Sequence, residues 1–369
     1  MNHLEQEDIV SAIKLRLEKL REMGDGLITL DAQVEWEKFH PLLERVHKKE
    51  RKSKAGAKPI DVVLMFKMLV LQSLYNLSDH QLEYQVRDRL SFMRFLGLDL
   101  FDRVPDEKSV WLFREKLKEQ DLIGELFDKF YEQLAAQGYA ARKGQIMDAS
   151  FVEVPKQRNT REENAEIKAG EVPEKWDETP HKKSQKDVDA RWAKKNNELH
   201  YGYKNHANVD QKNKLIQKYA VTNAAVHDSQ VFKELLDHTE DKQGKKRPVY
   251  GDSAYRSEAH EKQLALDEIE SQINEKGKRN HPLTEEQKQS NRKKSKVRAR
   301  VEHIFGAQAA MNGDFIRTIG ILRAQVKIGL VNLVYNMVRL GQLLKMDATK
   351  ADKKLNNNHL CGKNVPVVA

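Results

Sequence analysis

Apolar positions in the first third of the chain recur every three or four residues, which is the spacing of helices. The pattern predicts a helix over residues 4–23 and an amphipathic segment over residues 31–46. Residues 60–75 are apolar almost all round, so this helix is expected to be buried. Ser78 and Asp106 are candidate N-caps for helices that follow, and the last of these spans residues 122–136. Short helices joined by tight turns suit a helix-turn-helix DNA reader and a dimerisation bundle equally well.

Apolar and polar residues begin to alternate after Gly138, which indicates strands. Residues 145–154 predict a first strand, and residues 201–209 and 215–222 predict a hairpin. Residues 248–251 predict a fourth strand. Helical patterns over residues 229–236, 257–269, 284–306 and 322–344 come between and after these strands. The order predicts an α/β domain with a mixed sheet flanked by helices.

Three polar segments lack this periodicity. Residues 47–58 are rich in Lys and Arg and predict a flexible basic linker, and residues 156–197 predict a long loop. The Lys-rich end of the chain predicts a mobile tail. The expected organisation is residues 1–58 for N-terminal helices and linker, 59–138 for a helical domain, 139–345 for the α/β domain and 346–369 for the tail.

Composition limits the partners and the compartment. The 369 residues include 65 Lys and Arg against 56 Asp and Glu, a net charge of +9 that favours nucleic acid over a neutral partner. Cys361 is the one cysteine, which excludes a disulfide framework and a cysteine-based zinc site. A polar, acidic N-terminus and apolar runs interrupted by charges predict a cytoplasmic protein with no membrane partner.

Three acidic residues occupy suggestive places in this pattern. Asp148 lies within the first predicted strand, Asp252 directly follows the fourth, and Glu302 lies on a later helix. Taken alone, Glu302 would be a surface acid paired with Arg298 or Arg300. In a ribonuclease-H-like sheet, however, the first and fourth strands are neighbours and a helix packs over both. That arrangement brings the three carboxylates together.

Three converging carboxylates need cations, because they repel one another. Oxygen ligands without Cys or His favour Mg²⁺ or Mn²⁺, and two such ions can hold the attacking and leaving oxygens of a phosphoryl transfer. The sequence therefore predicts Asp148, Asp252 and Glu302 as catalytic residues and as ligands of two ions.

Ordered blocks over residues 50–345 carry a family resemblance. They include Met147-Asp148-Ala149-Ser150, Tyr201-Gly202-Tyr203-Lys204-Asn205-His206, Gly251-Asp252-Ser253-Ala254-Tyr255 and Glu302-His303. In these blocks the chain resembles bacterial insertion-sequence transposases of the DDE type, most closely the insertion-sequence-five family. The resemblance implies a ribonuclease-H-like catalytic domain behind an all-α N-terminal domain. It also implies metal-dependent cleavage at element ends and strand transfer into target DNA.

The same resemblance implies the partners. These are the terminal inverted repeats of the element, target DNA, and a second copy of the chain in a synaptic homodimer. Two other functions stay open: a ribonuclease-H-like nuclease without strand transfer, and a domesticated DNA-binding relative.

Related families carry a Tyr, Arg, Glu and Lys signature around the catalytic Glu. Arg298 and Glu302 fit it, whereas Ser295 and Ala309 stand where the Tyr and the Lys would be. Arg298 is predicted to hold a phosphate or to pair with Glu302. Lys294, Lys296 or Lys327 is predicted to replace the missing phosphate contact, and the sequence does not choose among them.

Further DNA contacts are predicted before and on the hairpin. Trp192, flanked by Arg191 and Lys194, is placed to stack on an unpaired base while the cations hold phosphate, or else to anchor its loop on the core. Lys204 and His206 share one face of a strand and are predicted to contact DNA.

Overall fold

The computed structural model describes residues 6–47, 59–140, 143–240, 244–277 and 281–361. Most of the predicted basic linker and the last eight residues of the predicted tail lie outside these ranges. The helices before the first strand are α1 (Gln6–Glu22), α2 (Gly26–Gln33), α3 (His40–Leu43), α4 (Val62–Leu74), α5 (Asp79–Asp88), α6 (Leu90–Leu96), α7 (Glu107–Glu119) and α8 (Leu122–Ala136).

The rest of the chain mixes strands and helices. The strands are β1 (Gln145–Glu153), β2 (Arg191–Lys195), β3 (Glu198–Asp210), β4 (Ile216–Asn223), β5 (Val249–Gly251) and β6 (Ser271–Ile273). The helices are α9 (Arg161–Ala169), α10 (Pro180–Ser184), α11 (Phe232–Leu235), α12 (Glu258–Leu266), α13 (Glu285–Arg298), α14 (Glu302–Ala310) and α15 (Ile321–Cys361).

The predicted N-caps explain where several helices begin. The Ser78 hydroxyl accepts a hydrogen bond from the Gln81 amide at the start of α5, and the Asp106 carboxylate accepts one from Ser109 at the start of α7. The amphipathic segment predicted over residues 31–46 does not form one helix. It divides into the end of α2, 3₁₀ turns and α3, which has a proline in its first turn.

The sheet has the strand order β4-β3-β1-β5-β6, and β2 also pairs with β3. β1 runs antiparallel to β3 and parallel to β5, and β5 runs parallel to β6. Three antiparallel strands continued by two parallel ones, with the first strand in the middle, form the sheet of a ribonuclease-H-like fold. The predicted fold class is therefore confirmed.

The long loop predicted over residues 156–197 is wrong, because this segment contains α9, α10 and β2. Thr160 and Glu163 form a capping box at the start of α9, and Glu163 also accepts a hydrogen bond from the fully buried Trp176 indole at 2.6 Å. A few buried apolar residues, such as Ile167 and Trp176, fix the segment of residues 156–197, which we call the insertion. They are too sparse to produce a periodic pattern.

One hydrophobic core joins the two predicted domains. It includes Leu69 of α4, Phe130 of α8, Ile146 of β1, Ala207 of β3 and Leu333 of α15. α15 follows the catalytic strands in sequence but packs against α2, α4, α7 and α8. It continues to Cys361, through part of the segment for which a mobile tail is predicted. Within the described ranges, none of the helices has the length and apolar character needed to cross a membrane.

Candidate active site

Asp148 is a buried carboxylate in the middle of β1, with 7% of its surface exposed. Its Oδ1 accepts a hydrogen bond from the Ala149 amide at 2.9 Å, and its Oδ2 accepts one from Arg298 Nη1 at 2.9 Å. Burial raises the pKa of Asp148, Arg298 opposes that rise, and the neighbouring Asp252 adds to it. The Arg298 guanidinium thus stabilises the negative charge of Asp148, whereas burial destabilises it.

Asp252 directly follows β5, the strand parallel to β1. Gln145 pairs with Val249 and Ile146 with Tyr250, so the same register carried two residues further brings Asp148 level with Asp252. The Asp252 Oδ1 accepts a hydrogen bond from the Ala254 amide at 2.9 Å, which fixes the turn. Asp252 therefore stands at the carboxyl end of β5, where α/β sheets bind ligands, and Asp148 lies level with it in the middle of β1.

Glu302 lies on the helical segment that covers these strands. A capping box of Thr284 and Gln287 starts α13, and the helix then tightens into a 3₁₀ turn over Ala299–Val301. Arg298 closes α13, and Glu302 opens α14 one turn later, where its side chain is exposed. In the part of the chain that the structure describes, no three His, Cys, Asp or Glu side chains lie close enough together to hold a metal ion. The structure thus brings Asp148, Asp252 and Arg298 together. Glu302 follows Arg298 by one helical turn but lies outside this cluster.

The aspartate pair suits a hard cation by its chemistry. Its donors are carboxylate oxygens, and the effect of Asp252 on the pKa of Asp148 shows that the like charges interact. Arg298 Nε is buried and has no hydrogen-bond partner among the described residues. The guanidinium is therefore incompletely held and can yield its contact with Asp148.

A second polar cluster lies on the opposite face of the sheet. His206 pairs with Ala149, the neighbour of Asp148, and successive residues alternate between faces. Lys204 Nζ donates to Asp228 Oδ1 at 2.8 Å, and His206 Nε2 lies 2.8 Å from Thr222 Oγ1. Burial lowers the pKa of His206 to about 4. This histidine is therefore neutral at pH 7.

Tyr255 links the two clusters electrostatically. Burial raises the pKa of its fully buried phenol, and Asp228, Asp148 and Asp252 raise it further. Its hydroxyl has no hydrogen-bond partner among the described residues. Sequence patterns alone did not single out Tyr255 or Asp228 as site residues. The only signals were an aromatic residue three positions after Asp252 and an acid beside a helix cap.

Three of the predicted DNA contacts, Lys204, His206 and Arg191, are buried or engaged within the protein. Lys204 is 8% exposed and His206 is fully buried, so neither side chain offers a surface to DNA. Arg191 is also engaged, because its guanidinium donates to the carbonyls of Val188, Ala190 and Ile167. Its hydrogen bonds hold the insertion against the sheet.

The other predicted contacts keep accessible side chains. Trp192 is 44% exposed and packs on Tyr201 with ring centroids 4.9 Å apart, so it is both an anchor and an open aromatic surface. Lys194 and Lys296 are exposed. Lys294 donates to the Ile273 carbonyl at 3.2 Å and is half-buried.

Ser295 and Ala309, which replace the signature Tyr and Lys, differ in their surroundings. The Ser295 hydroxyl accepts a hydrogen bond from Asn274 Nδ2 at 3.1 Å, so it ties α13 to the segment after β6. Ala309 is exposed on α14 and presents no polar group. Neither position supplies a cation.

Two family models match the chain. Residues 139–337 match the family described as the transposase DDE domain, and residues 15–116 match the family described as transposase domain (DUF772). The cryo-EM structure of a piggyBac transposase synaptic complex with hairpin DNA is similar over 88% of this chain and 76% of that chain, at 12% identity and a TM-score of 0.43.

The family matches carry the assignment. The DDE match alone spans more than half of the chain and contains Asp148, Asp252 and Glu302. The insertion-sequence-five subfamily stays a prediction. The chain belongs to the DDE transposases of bacterial insertion sequences.

Proposed function

We propose that this transposase cleaves DNA at the ends of its insertion sequence and joins the freed 3′-hydroxyl to target DNA in a reaction that requires Mg²⁺ or Mn²⁺. The observation that carries the proposal is the level placement of Asp148 and Asp252 on paired parallel strands, covered by the helix that leads to Glu302. A carboxylate buried in the middle of a strand, as Asp148 is, is costly to the fold in its charged form. Such a cost is typical of functional sites.

Asp148, Asp252 and Glu302 are the proposed ligands of two divalent ions. When bound, these ions supply an activated water or 3′-hydroxyl and neutralise the charge that develops on the phosphate. Glu302 joins the aspartates by a rotation of its exposed side chain, which nothing in the described structure holds elsewhere. This third carboxylate completes an all-oxygen donor set.

Arg298 has two proposed roles at this site. In the structure it neutralises Asp148 through the 2.9 Å hydrogen bond. Its Nε has no hydrogen-bond partner among the described residues, and the guanidinium would donate to a DNA phosphate beside the aspartates. A fixed arginine fork then orients the scissile strand.

The proposed DNA surface includes exposed groups near the sheet and on α13. Lys294 and Lys296 lie on the helix that carries Arg298 and would hold backbone phosphates. Trp192 and Lys194 offer an aromatic face and a cation for an unpaired nucleotide. The partners are the inverted repeats and target DNA, and joining two ends requires a homodimer in the synaptic complex.

The test uses labelled inverted-repeat ends, a supercoiled target plasmid and purified protein with Mg²⁺. Wild-type protein is expected to nick the ends and to form joined products, whereas Asp148→Asn, Asp252→Asn and Glu302→Gln abolish both reactions. His303→Gln is the matched control for Glu302→Gln, because it changes the next exposed residue of α14.

The outcomes separate the competing functions. Nicking without joined products would identify a nuclease without strand transfer, and binding without nicking would identify a domesticated DNA-binding relative. Full activity of Glu302→Gln would remove Glu302 from the proposed ligand set.

A further inference from the structure

A cavity of about 820 Å³ lies where the N-terminal helices meet the catalytic region. Its walls come from α4, α5 and α7 on one side and from residues 312–330 on the other. The volume falls within the range of sites that enclose small organic ligands. Neither Asp148 nor Asp252 lines the cavity, so it is separate from the candidate active site.

The charged groups on its walls do not balance. Arg114 is fully engaged by Asp79 through two hydrogen bonds of 2.7 and 2.8 Å. Arg323 and Lys118 both pair with Glu115, which leaves an excess positive charge in that trio. The cavity walls therefore carry more cations than anions. Both of their carboxylates, Asp79 and Glu115, are already paired.

Two further cations have no acidic partner among the described residues. Arg317 lies 6.0 Å from the Phe315 ring and forms none of the described ion pairs. Lys327 lies on the inner wall, half-buried, and likewise forms none of them. Burial, and to a smaller extent the charge of Arg114, lower the pKa of Lys327 to about 8. A cation kept in such a place costs stability unless an anion joins it.

An exposed aromatic ring stands on the same walls. Trp111 of α7 is 48% exposed and lines the cavity with Arg317 and Lys327. An open indole beside unpaired cations is the combination that binds single-stranded nucleic acid, since the ring stacks on a base while the cations hold phosphate.

We propose that this cavity binds one nucleotide of an unpaired DNA strand, with its phosphate on Lys327 and Arg317 and its base against Trp111. The proposal rests on the proposed function in one respect, namely that the strand is DNA. A strand held there contacts both the N-terminal helices and the catalytic region, because the cavity is formed by both.

Binding is measured by fluorescence anisotropy on the full-length protein without divalent ions, so that cleavage plays no part. The probe is a labelled single strand of about ten nucleotides, which is within common site sizes. Lys327→Met removes the unpaired cation. Lys262→Met is the matched control, because Lys262 is 72% exposed on α12 and pairs with Glu258.

Lys327→Met is expected to weaken binding of the single strand by about tenfold and to reduce the salt slope by about 0.7. Trp111→Ala is expected to weaken it by about tenfold on a normal strand and to have no effect on an abasic strand. Phe101→Ala controls for loss of an exposed ring. The melting temperature of Lys327→Met should equal or exceed that of wild type, because an unpaired cation is removed.

Three results would overturn the proposal. One is equal affinity and salt slope for Lys327→Met and Lys262→Met. Another is a free deoxynucleoside monophosphate or inorganic phosphate that binds in a Lys327-dependent way while strand binding does not depend on Lys327. The third is a 5-iododeoxyuridine strand that cross-links under ultraviolet light without modifying Trp111.

Failure here is distinguishable from failure of the proposed function. Cleavage by wild type with Mg²⁺ but no effect of Lys327→Met on strand binding removes the cavity site alone. Lys327-dependent strand binding without cleavage by wild type retains the cavity site and removes the proposed chemistry.

Discussion

Arg298 Nη1 donates a 2.9 Å hydrogen bond to Asp148 Oδ2, across 150 residues of sequence. The contact ties the last residue of α13 to the central strand of the sheet. It also gives the buried carboxylate its nearest counter-charge. Burial nevertheless dominates, since the pKa of Asp148 is raised overall.

Removing the charge of Asp148 should stabilise the protein when divalent ions are absent. We expect Asp148→Asn to raise the free energy of unfolding at pH 7 by about 0.5–2 kcal/mol, as is common where a functional site opposes stability. A raised pKa means that the folded protein binds this proton more tightly than the unfolded chain. The wild type therefore loses stability as pH rises through the folded pKa, and the difference from Asp148→Asn disappears below the ordinary value of 3.8.

Urea unfolding at several pH values measures this difference. Glu270→Gln is a suitable control, because this exposed acid changes charge without leaving a buried site. A loss of stability in Asp148→Asn at neutral pH would mean that the ion pair with Arg298 outweighs the cost of burial.

Divalent ions should reverse that cost in the wild type. A ligand that binds only the folded state stabilises it by about 2.7 kcal/mol at a hundredfold excess over its dissociation constant. Mg²⁺ is therefore expected to raise the melting temperature of wild type, to have almost no effect on Asp148→Asn or Asp252→Asn, and to have a reduced effect on Glu302→Gln. Chelation with EDTA should remove the increase. An undiminished increase in Asp252→Asn would contradict its role as a ligand.

The sequence predicted the fold well, and in the candidate site it predicted that Asp148 and Asp252 lie close together. Alternation in β1, the hairpin of β3 and β4, and the short run before Asp252 are strong local signals, and strand order follows from them in a ribonuclease-H-like sheet. The placement of Asp148 level with Asp252 follows from that order. Local signals failed for β2 and β6, because β2 is polar and β6 has a single apolar residue, Ile273, among its three.

The remaining misses have a long-range cause. Lys204 and His206 look like surface residues in the sequence, but packing of α11 and the segment around Asp228 over their face buries them. The alternation along one β-strand identifies which residues share a face of the sheet. It gives no information on what covers that face. The cavity around Lys327 is similar, since its walls come from helices more than 200 residues apart, as the contact of Glu115 with Arg323 shows.

The ion pair between Glu115 and Arg323 should stabilise the packing of the N-terminal helices against α15. Arg323 donates two hydrogen bonds of 2.8 and 2.9 Å to this carboxylate, and chiefly these lower the pKa of Glu115 to about 2. Because the Arg323 side chain is 39% exposed, solvent screening limits the expected loss in Glu115→Gln to about 1 kcal/mol. The contribution is present above pH 4.5 and is lost as pH falls toward about 2.

Urea unfolding of wild type and Glu115→Gln near pH 7 and pH 2 gives the difference. Glu132→Gln controls for charge, because its pair with Lys129 is exposed. A stability difference that persists unchanged at the lower pH would show that packing, and not the ion pair, is responsible.

A buried amide cluster should hold α14 on the sheet. Asn332 Oδ1 accepts hydrogen bonds from Asn205 Nδ2 at 2.9 Å and Gln308 Nε2 at 2.7 Å. Asn332→Leu leaves Gln308 Nε2 and Asn205 Oδ1 without their partner, and it leaves Asn205 Nδ2 with only its 3.4 Å bond to Gln308 Oε1, which should cost about 2–4 kcal/mol. Because α14 begins at Glu302, the same variant is expected to lower the cleavage rate of the folded enzyme.

Asn336→Leu provides the matched control. Asn336 is also buried on α15, but among the described residues its side chain bonds only to the backbone of Ile216 in β4. Its loss should cost similar stability without lowering the cleavage rate per folded molecule. Equal rate losses in both variants would show that the cluster around Asn332 has no special link to the site.

Strand binding in the cavity should weaken as the pH rises above about 8. Burial lowers the pKa of Lys327 to about 8, so its ammonium is lost there while the adjacent Arg114 and Arg323 stay charged and Asp79 and Glu115 stay ionised. An anion needs the charged form, so the affinity of wild type should fall toward that of Lys327→Met between pH 7 and pH 10. Lys327→Arg keeps its charge and should lose little affinity over the same range. Anisotropy titrations of wild type and Lys327→Arg at each pH decide the matter, because parallel curves would show that Lys327 does not hold the phosphate.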